Sequence, residues 1–215
     1  GAWEEAARLD DAAAAPGDRF GTSVAVDDTA ATTLASGLNA SFWLLCGSKH
    51  KSIGGAHHNG GAYLYAATPA NLSAVGAAAG TLIAPPAGDG ALNGGAVAMR
   101  NGRVVIGPYG AGCNPMPGES CASSPDNGRV YVYGGCASRA DDDGDGGGGG
   151  AAGRPDANCT LTQTLSPPAG DAVTDRFGAA LALSDDVLAV ASPSAAAARG
   201  RVYVYRWTPA PPSPP

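Results

Sequence analysis

One strand pattern occurs three times in this chain, and the repetition constrains the fold more than any other feature. The third copy is the clearest: a corner at Asp175–Gly178, Asp-Arg-Phe-Gly, precedes alternating apolar residues, a tight turn and the apolar run Val187–Val190. The tetrapeptide Val202–Tyr205 then alternates β-branched and aromatic residues, which favours a strand. Each copy therefore predicts a hairpin followed by a third antiparallel strand.

The two upstream copies keep this order. The first begins at Asp18–Gly21, whereas the second has Asn93-Gly94 at the corner and an Asn101-Gly102 hairpin turn. Neither the corner glycines nor the closing tyrosines are evenly spaced along the chain, so loop insertions of different length separate the copies. The residues that define the repeat are Phe20, Gly21, Gly94, Phe177, Gly178, Tyr65, Tyr133 and Tyr205.

A further segment precedes each corner and is a candidate outer strand: Trp3–Leu9, Thr81–Ala84 and Thr160–Leu165. The sequence thus predicts an all-β protein built from sheets of about four antiparallel strands. The repeats span about 1–66, 81–134 and 159–207, with inserted loops, within a β region of residues 1–207. Residues 208–215 are rich in proline and favour an extended polyproline II tail or linker.

Composition narrows the class of partner. The net charge is −6 and the pI is about 4.8, which argues against nucleic acid and anionic membranes as partners. No apolar run approaches the roughly 20 residues that span a bilayer as a helix, so membrane insertion is not predicted. Six of the seven tyrosines lie in the three closing strands, and we expect those strands to form the core.

The five cysteines suggest cross-links in loops. Cys46 lies in an apolar strand and suits a buried thiol, whereas the other four lie in inserted loops. Nearest neighbours would pair Cys113 with Cys121 and Cys136 with Cys159, and two other pairings remain open.

Three sequons for N-linked glycans begin at Asn39, Asn71 and Asn158, all in predicted loops. Together with the loop cysteines, they predict an oxidising compartment and a secreted or cell-surface protein.

Two loops resemble metal sites only superficially. His50, His57 and His58 share the Gly-rich segment 49–61, but their spacing matches no usual set of zinc ligands. Asp141–Gly146 has alternating carboxylates, yet the glutamate that completes a calcium loop does not follow. We predict a solvated loop and a flexible acidic linker, with no metal or cofactor.

The recurring motifs resemble the FG-GAP repeat of integrin-α-type β-propellers. The third copy has Asp175–Gly178 with Ala191-Ser192-Pro193, the first has Asp18–Gly21 with Cys46-Gly47-Ser48, and the middle copy keeps Ile106-Gly107-Pro108. The resemblance implies four-stranded blades around a central axis and a role in extracellular adhesion or ligand binding.

The chain departs from this family at the calcium loops. Several members carry Asp-x-Asp-x-Asp-Gly between the first two strands of a blade, where this chain has Ser184–Asp186 and Arg100–Gly102. Calcium binding is therefore not implied here. The terminal Pro-Pro-Ser-Pro-Pro resembles the hydroxyproline-rich glycoproteins of plant and green-algal walls.

Two classes of function follow. The favoured one is a non-catalytic extracellular glycoprotein module for structural assembly or adhesion at a cell surface, in an extracellular matrix or in a surface filament. The alternative is a propeller-fold hydrolase or lyase with its site at the channel mouth. Only three glutamates are present and no Gly-x-Ser-x-Gly elbow occurs, while Asp18, Asp171 and Asp175 suit turns.

Three copies are too few to close a ring, since propellers use about four to eight blades. The expected partners are therefore other protein chains or further blades of the same polypeptide, with glycans as a further candidate.

Overall fold

The computed structural model describes residues 1–5, 8–9, 15–29, 32–33, 39–40, 42–55, 57–67, 81–86, 91–108, 128–136, 159–168 and 176–208. These residues form antiparallel strands and one helical turn, α1. The elements are β1 (Phe20–Asp27), β2 (Thr32–Thr33), β3 (Asn39–Ala40), β4 (Phe42–Ser48), β5 (Gly61–Ala67), β6 (Thr81–Ile83), β7 (Asn93–Arg100), β8 (Arg103–Pro108), β9 (Val130–Gly134), β10 (Thr160–Leu165), β11 (Ala180–Leu183), β12 (Val187–Ser192), α1 (Ala195–Ala198) and β13 (Arg201–Arg206).

The strands assemble in chain order into three larger sheets. Sheet 1 has the order β1-β4-β5-β6, sheet 2 has β7-β8-β9-β10, and sheet 3 has β11-β12-β13. The short strands β2 and β3 pair within a connection that the sequence predicts as a plain surface loop. The predicted fold class, all-β with blade-like antiparallel sheets of about four strands, is confirmed. The described residues contain no helix that is long and apolar enough to cross a membrane.

The outer strands come from the segments that precede the corners. Thr81–Ile83 closes sheet 1 as β6 and Thr160–Leu165 closes sheet 2 as β10, as predicted. The described residues of the segment 3–9 form no strand, so that expectation is wrong for this chain. The Asn101-Gly102 turn is confirmed: both residues have positive φ, 49° and 67°, and Arg100 pairs with Arg103 across the hairpin.

The three sheets stack in sequence, with β7 packed against β1 on one side and against β11 on the other. Each third strand alternates between two faces. Tyr131 and Tyr133 of sheet 2 point into the core shared with sheet 1, whereas Val130 and Val132 point into the core shared with sheet 3. We call the face with the tyrosines the tyrosine face of a sheet and the other face the opposite face. In the stack, the tyrosine face of each later sheet covers the opposite face of the sheet before it.

The corner glycines permit this close stacking. Gly21, Gly94 and Gly178 all have positive φ, 80°, 81° and 90°, which glycine adopts without a steric penalty. The Gly178 carbonyl lies so close to Gly107 of sheet 2 that a Cβ built on Gly107 would be 2.5 Å from its oxygen. The Gly94 carbonyl overlaps a Cβ built on Gly47 in the same way. Glycine at both positions therefore sets the spacing between sheets.

The corner phenylalanines pack on the closing tyrosines of their own sheets. Phe20 meets Tyr63 and Tyr65 edge-on, with ring centroids 5.7 and 6.3 Å apart, and Phe177 lies 5.4 Å from Tyr203. Phe177 is fully buried between sheets 2 and 3. Phe20 remains half-buried, because the described residues place no sheet in front of sheet 1.

Candidate functional site

Apolar side chains are exposed at each end of the stack, although Tyr63 and Tyr65 at the first end are buried. At the first end lies the tyrosine face of sheet 1, where Val24 pairs with Cys46 and Val26 with Leu44. Val24 and Val26 are 66% and 60% exposed, whereas Val97 and Met99, at the same places in sheet 2, are 7% and 5% exposed. The difference arises because sheet 1 covers sheet 2 but no described sheet covers sheet 1.

The opposite face of sheet 3 forms the second open end. Cross-strand pairing places two rows of small residues on it: Ala180, Ala191 and Val202, then Ala182, Ala189 and Val204. Val202 and Val204 are 64% and 70% exposed, whereas Val130 and Val132, at the same places in sheet 2, are 0% and 6% exposed. The expectation that all three closing strands are core is thus wrong for this face of β13, because no described sheet follows sheet 3.

Sheet 3 also ends in an open edge. In the described part of the chain, β13 pairs with β12 and no fourth strand lies beyond it. An edge strand presents backbone donors and acceptors on which another strand can form. The Val-Tyr-Val-Tyr alternation predicted that this strand has an apolar face. It did not predict which sheet would lack a neighbouring sheet on that face.

Polar groups connect the turns that follow the first strands of neighbouring sheets. The Asp185 carboxylate accepts hydrogen bonds from Arg100 Nε and Asn101 Nδ2, both at 2.8 Å, and Arg103 donates to the Asp185 carbonyl. The backbone N–H of Asn101 donates to Thr29 Oγ1 at 3.2 Å. The two turns are therefore joined by a guanidinium–carboxylate pair.

The histidine loop packs onto the first corner. The His50 and His58 rings lie 5.1 Å apart, and the backbone N–H of His50 donates to the Asp18 carbonyl. Burial, and then the positive charge of Arg19, lower the pKa of His50. His57 is exposed. Among the described residues, no three His, Cys, Asp or Glu side chains converge as a metal site would require.

Sequence reasoning missed the role of Asp18 in this loop. Its carboxylate accepts a hydrogen bond from the Ala15 N–H at 2.9 Å and pairs with Lys51 Nζ at 3.0 Å. Both side chains of the ion pair are nearly buried, with 13% and 10% of their area exposed for Lys51 and Asp18. The corner aspartate therefore combines turn chemistry with an ion pair that the wide separation of the two residues in the sequence did not reveal.

In the middle copy, Asn93 stands at the position of the corner phenylalanine and contacts the histidine loop. Asn93 is buried and donates through Nδ2 to the Asn59 carbonyl at 3.0 Å, while Gly60 forms a bridge with Asn93. A Cβ on Gly60 would overlap the Asn93 backbone, so the loop and the second corner are in direct contact. The histidine loop thus anchors sheet 1 to sheet 2.

The covalent predictions have mixed outcomes. Cys136 and Cys159 form a disulfide that ties the end of β9 to the start of β10. Cys46 is a buried free thiol, and burial raises its pKa to about 11. Cys113, Cys121, Asn71 and Asn158 lie outside the described residues. Asn39 lies in β3, and its glycosylation stays a prediction.

A small cavity of about 90 Å³ lies between sheets 2 and 3. Apolar residues such as Val105, Leu165 and Leu188 line it, together with Asp186. The Arg103 guanidinium lies 4.8 Å from the centroid of the Trp207 ring at the same cavity. This volume is well below the roughly 300–1,000 Å³ of a typical ligand pocket.

No protein-family model matches the chain, and no curated protein is significantly similar to it in sequence.

Proposed function

We propose that this chain is a non-catalytic extracellular glycoprotein module that serves in structural assembly or adhesion at a cell surface, in a matrix or in a surface filament. The observation that carries the proposal is the pair of open ends, where apolar side chains are exposed at Val24 and Val26 of sheet 1 and at Val202 and Val204 of sheet 3. Neighbouring apolar side chains left exposed on a folded protein mark candidate sites of interaction, because burying them releases water. A protein partner therefore fits these surfaces better than a small molecule does.

The resemblance to FG-GAP repeats supports the same proposal. Three repeat-related sheets stack in chain order, and the first strand of sheet 2, β7, adjoins the first strands of the other two, β1 and β11. This arrangement suits blades of a propeller that is larger than the described stack or is assembled from several parts. The partners would be other protein chains or further blades of the same polypeptide, with glycans as a second class.

Covalent features support an extracellular setting. The Cys136–Cys159 disulfide closes a loop whose ends lie in neighbouring strands, and such bonds persist in oxidising compartments. Sequons at Asn39, Asn71 and Asn158 would carry N-linked sugars there, and hydroxylated prolines in residues 208–215 would carry O-linked sugars. A sugar-bearing surface and a proline-rich extension are suited to a surface coat.

Brief protease treatment of intact cells tests the proposal on native material. The protein should be cleaved while cytoplasmic markers stay intact, and peptide mass mapping should find sugar on at least one of the three asparagines. The same digest without reductant should recover the Cys136–Cys159 peptide pair, and it tests Cys113 with Cys121. Complete protection from protease, with all three asparagines unmodified, would refute the extracellular function.

A further inference from the structure

We infer that copies of this chain associate head to tail, with the N-terminal segment of one copy, whose described residues are 3–5 and 8–9, added as the fourth strand of sheet 3 in the next copy. The inference rests on the proposed function, since it names the partner of the same open ends. The contact is heterologous, because one copy offers its N-terminal segment and first sheet while the other offers β13. Repetition of such a contact builds an open chain or a ring.

Chain order identifies the missing strand. The outer strands β6 and β10 end at Ile83 and Leu165, a short loop before the next corner glycines, Gly94 and Gly178. Leu9 precedes Gly21 by a spacing that falls between those two. The segment 3–9 thus stands where the outer strand of a preceding sheet belongs, and sheet 3 is the larger sheet whose described strands end without one.

Leu9 already lies at the corresponding place. Leu165 belongs to the core between sheets 2 and 3 with Phe177, and Ile83 belongs to the core between sheets 1 and 2 with Tyr133. Leu9 packs against the cluster on the tyrosine face of sheet 1, which contains Tyr63 and Tyr65. One copy therefore holds Leu9 where the end of an outer strand belongs, and its described residues supply no sheet for that strand.

The charges agree with this register. In sheet 2, Leu165 pairs with Val130 and Thr160 with Gly134. Transferred to sheet 3, the same offsets place Leu9 opposite Val202 and Glu4 opposite Arg206. Arg206 is exposed, so the Glu4 carboxylate would meet a cation at the end of the added strand. Glu5 would lie on the other face of the strand, and it already pairs with Arg8 at 3.2 Å.

A difference at one position should make the contact between copies weaker than the contacts between sheets of one copy. Strand pairing places Ala191 in sheet 3 where sheets 1 and 2 have Gly47 and Gly107. At those glycines, the carbonyl of the next corner approaches too closely for a Cβ. The methyl group of Ala191 would hold the Gly21 corner of the next copy away, so we expect reversible association.

Light scattering and sedimentation of the full chain test the inference. The mean mass should rise with protein concentration and should not level off at a dimer if the chain is open. Arg206→Glu and Glu4→Lys should each weaken association about tenfold or more, because each places like charges together. Arg199→Glu, an exposed arginine outside β13, is the matched control and should leave association unchanged.

Mixing the two charge-reversed variants gives the sharper result. In the mixture, the Arg206→Glu edge can pair with the Lys-bearing N-terminus, while the other variant's native edge pairs with the native N-terminus. Association should therefore return on mixing, although neither variant associates well alone. Circular dichroism should show that both variants are folded.

A substitution of Ala191 tests the proposed close approach of the next copy's Gly21 corner. Ala191→Gly should strengthen association several-fold, because it recreates the approach seen at Gly47 and Gly107. Ala189→Gly, on the same strand and face, carries the same backbone cost and should not strengthen it.

A monomeric mass at every concentration, or failure of the mixed variants to associate, would overturn the inference. If that happens while the native protein is still cleaved on intact cells and carries sugar, the proposed function stands and only the self-association is wrong. If the chain assembles as described but native material is protected and unglycosylated, the proposed extracellular function is wrong instead.

Discussion

Gly107→Ala is expected to weaken the packing between sheets 2 and 3 by a predictable amount. The added Cβ would lie 2.5 Å from the Gly178 oxygen and 3.3 Å from Leu181 Cδ1, and real Cβ atoms essentially never come within 3.0 Å of another atom. The oxygen belongs to a corner glycine with φ of 90°, so the backbone must move rather than a flexible side chain. Sheet 3 would have to shift outward or the corner would have to distort.

The magnitude combines two opposing effects. Overpacking in a well-packed core costs about 1–3 kcal/mol. Replacing glycine by alanine also lowers the entropy of the unfolded chain, which restores about 0.4–1 kcal/mol where the backbone conformation suits alanine, as at Gly107. We therefore expect a net loss of about 1–2 kcal/mol, or roughly 2–8 °C in Tm for a chain of this size.

Urea denaturation and thermal melting would measure this loss. The matched control is Gly134→Ala, where the added Cβ meets only the Thr162 methyl group, at 3.2 Å. The control should melt within about 2 °C of the parent chain, since a methyl group can move aside. Equal stability of the two variants would show that the close approach of the corner carbonyl does not set the sheet spacing.

Three further predictions concern the first corner, its histidine loop and the turns that follow β7 and β11. Lys51→Met should cost about 3 kcal/mol in the free energy of unfolding, because it leaves the Asp18 carboxylate nearly buried without its cation; a loss below about 1 kcal/mol in urea melts would contradict this. The pKa of His50 is lower in the folded protein than the ordinary value of about 6.5, so the unfolded chain binds more protons and stability should fall as the pH drops through that value; His50→Gln should flatten this part of a Tm-against-pH curve, and an unchanged curve would assign the effect elsewhere. Adding a chelator should change Tm by less than about 1 °C, because a carboxylate at these turns is already paired with a guanidinium group; a drop of several degrees would show that the fold binds calcium.

The sequence alone determined the strand content and the order of the strands. Alternation in Val202–Tyr205 and its relatives requires a strand with two distinct faces, and Asn101-Gly102 specifies a two-residue hairpin. The recurrence of these local signals predicted antiparallel sheets and two of their outer strands. Such features depend on neighbouring residues, so a single chain displays them directly.

Contacts between distant residues were decided by the tertiary structure. The Lys51–Asp18 pair, the packing of Asn93 on the histidine loop and the link from Arg100 to Asp185 all join parts of the chain that are far apart in the sequence. Local periodicity carries no information about such pairs, because they depend on which loops meet when the sheets stack.

Stacking also decided which apolar residues stay in water. Val130 and Val202 occupy equivalent strand positions and look alike in the sequence, yet the first is fully buried and the second is 64% exposed. Alternation reveals that a strand has an apolar face, but only the presence of a neighbouring sheet determines whether that face is covered. The physical reason is that burial belongs to pairs of surfaces, and in this chain the described residues supply one surface of the pair at each end.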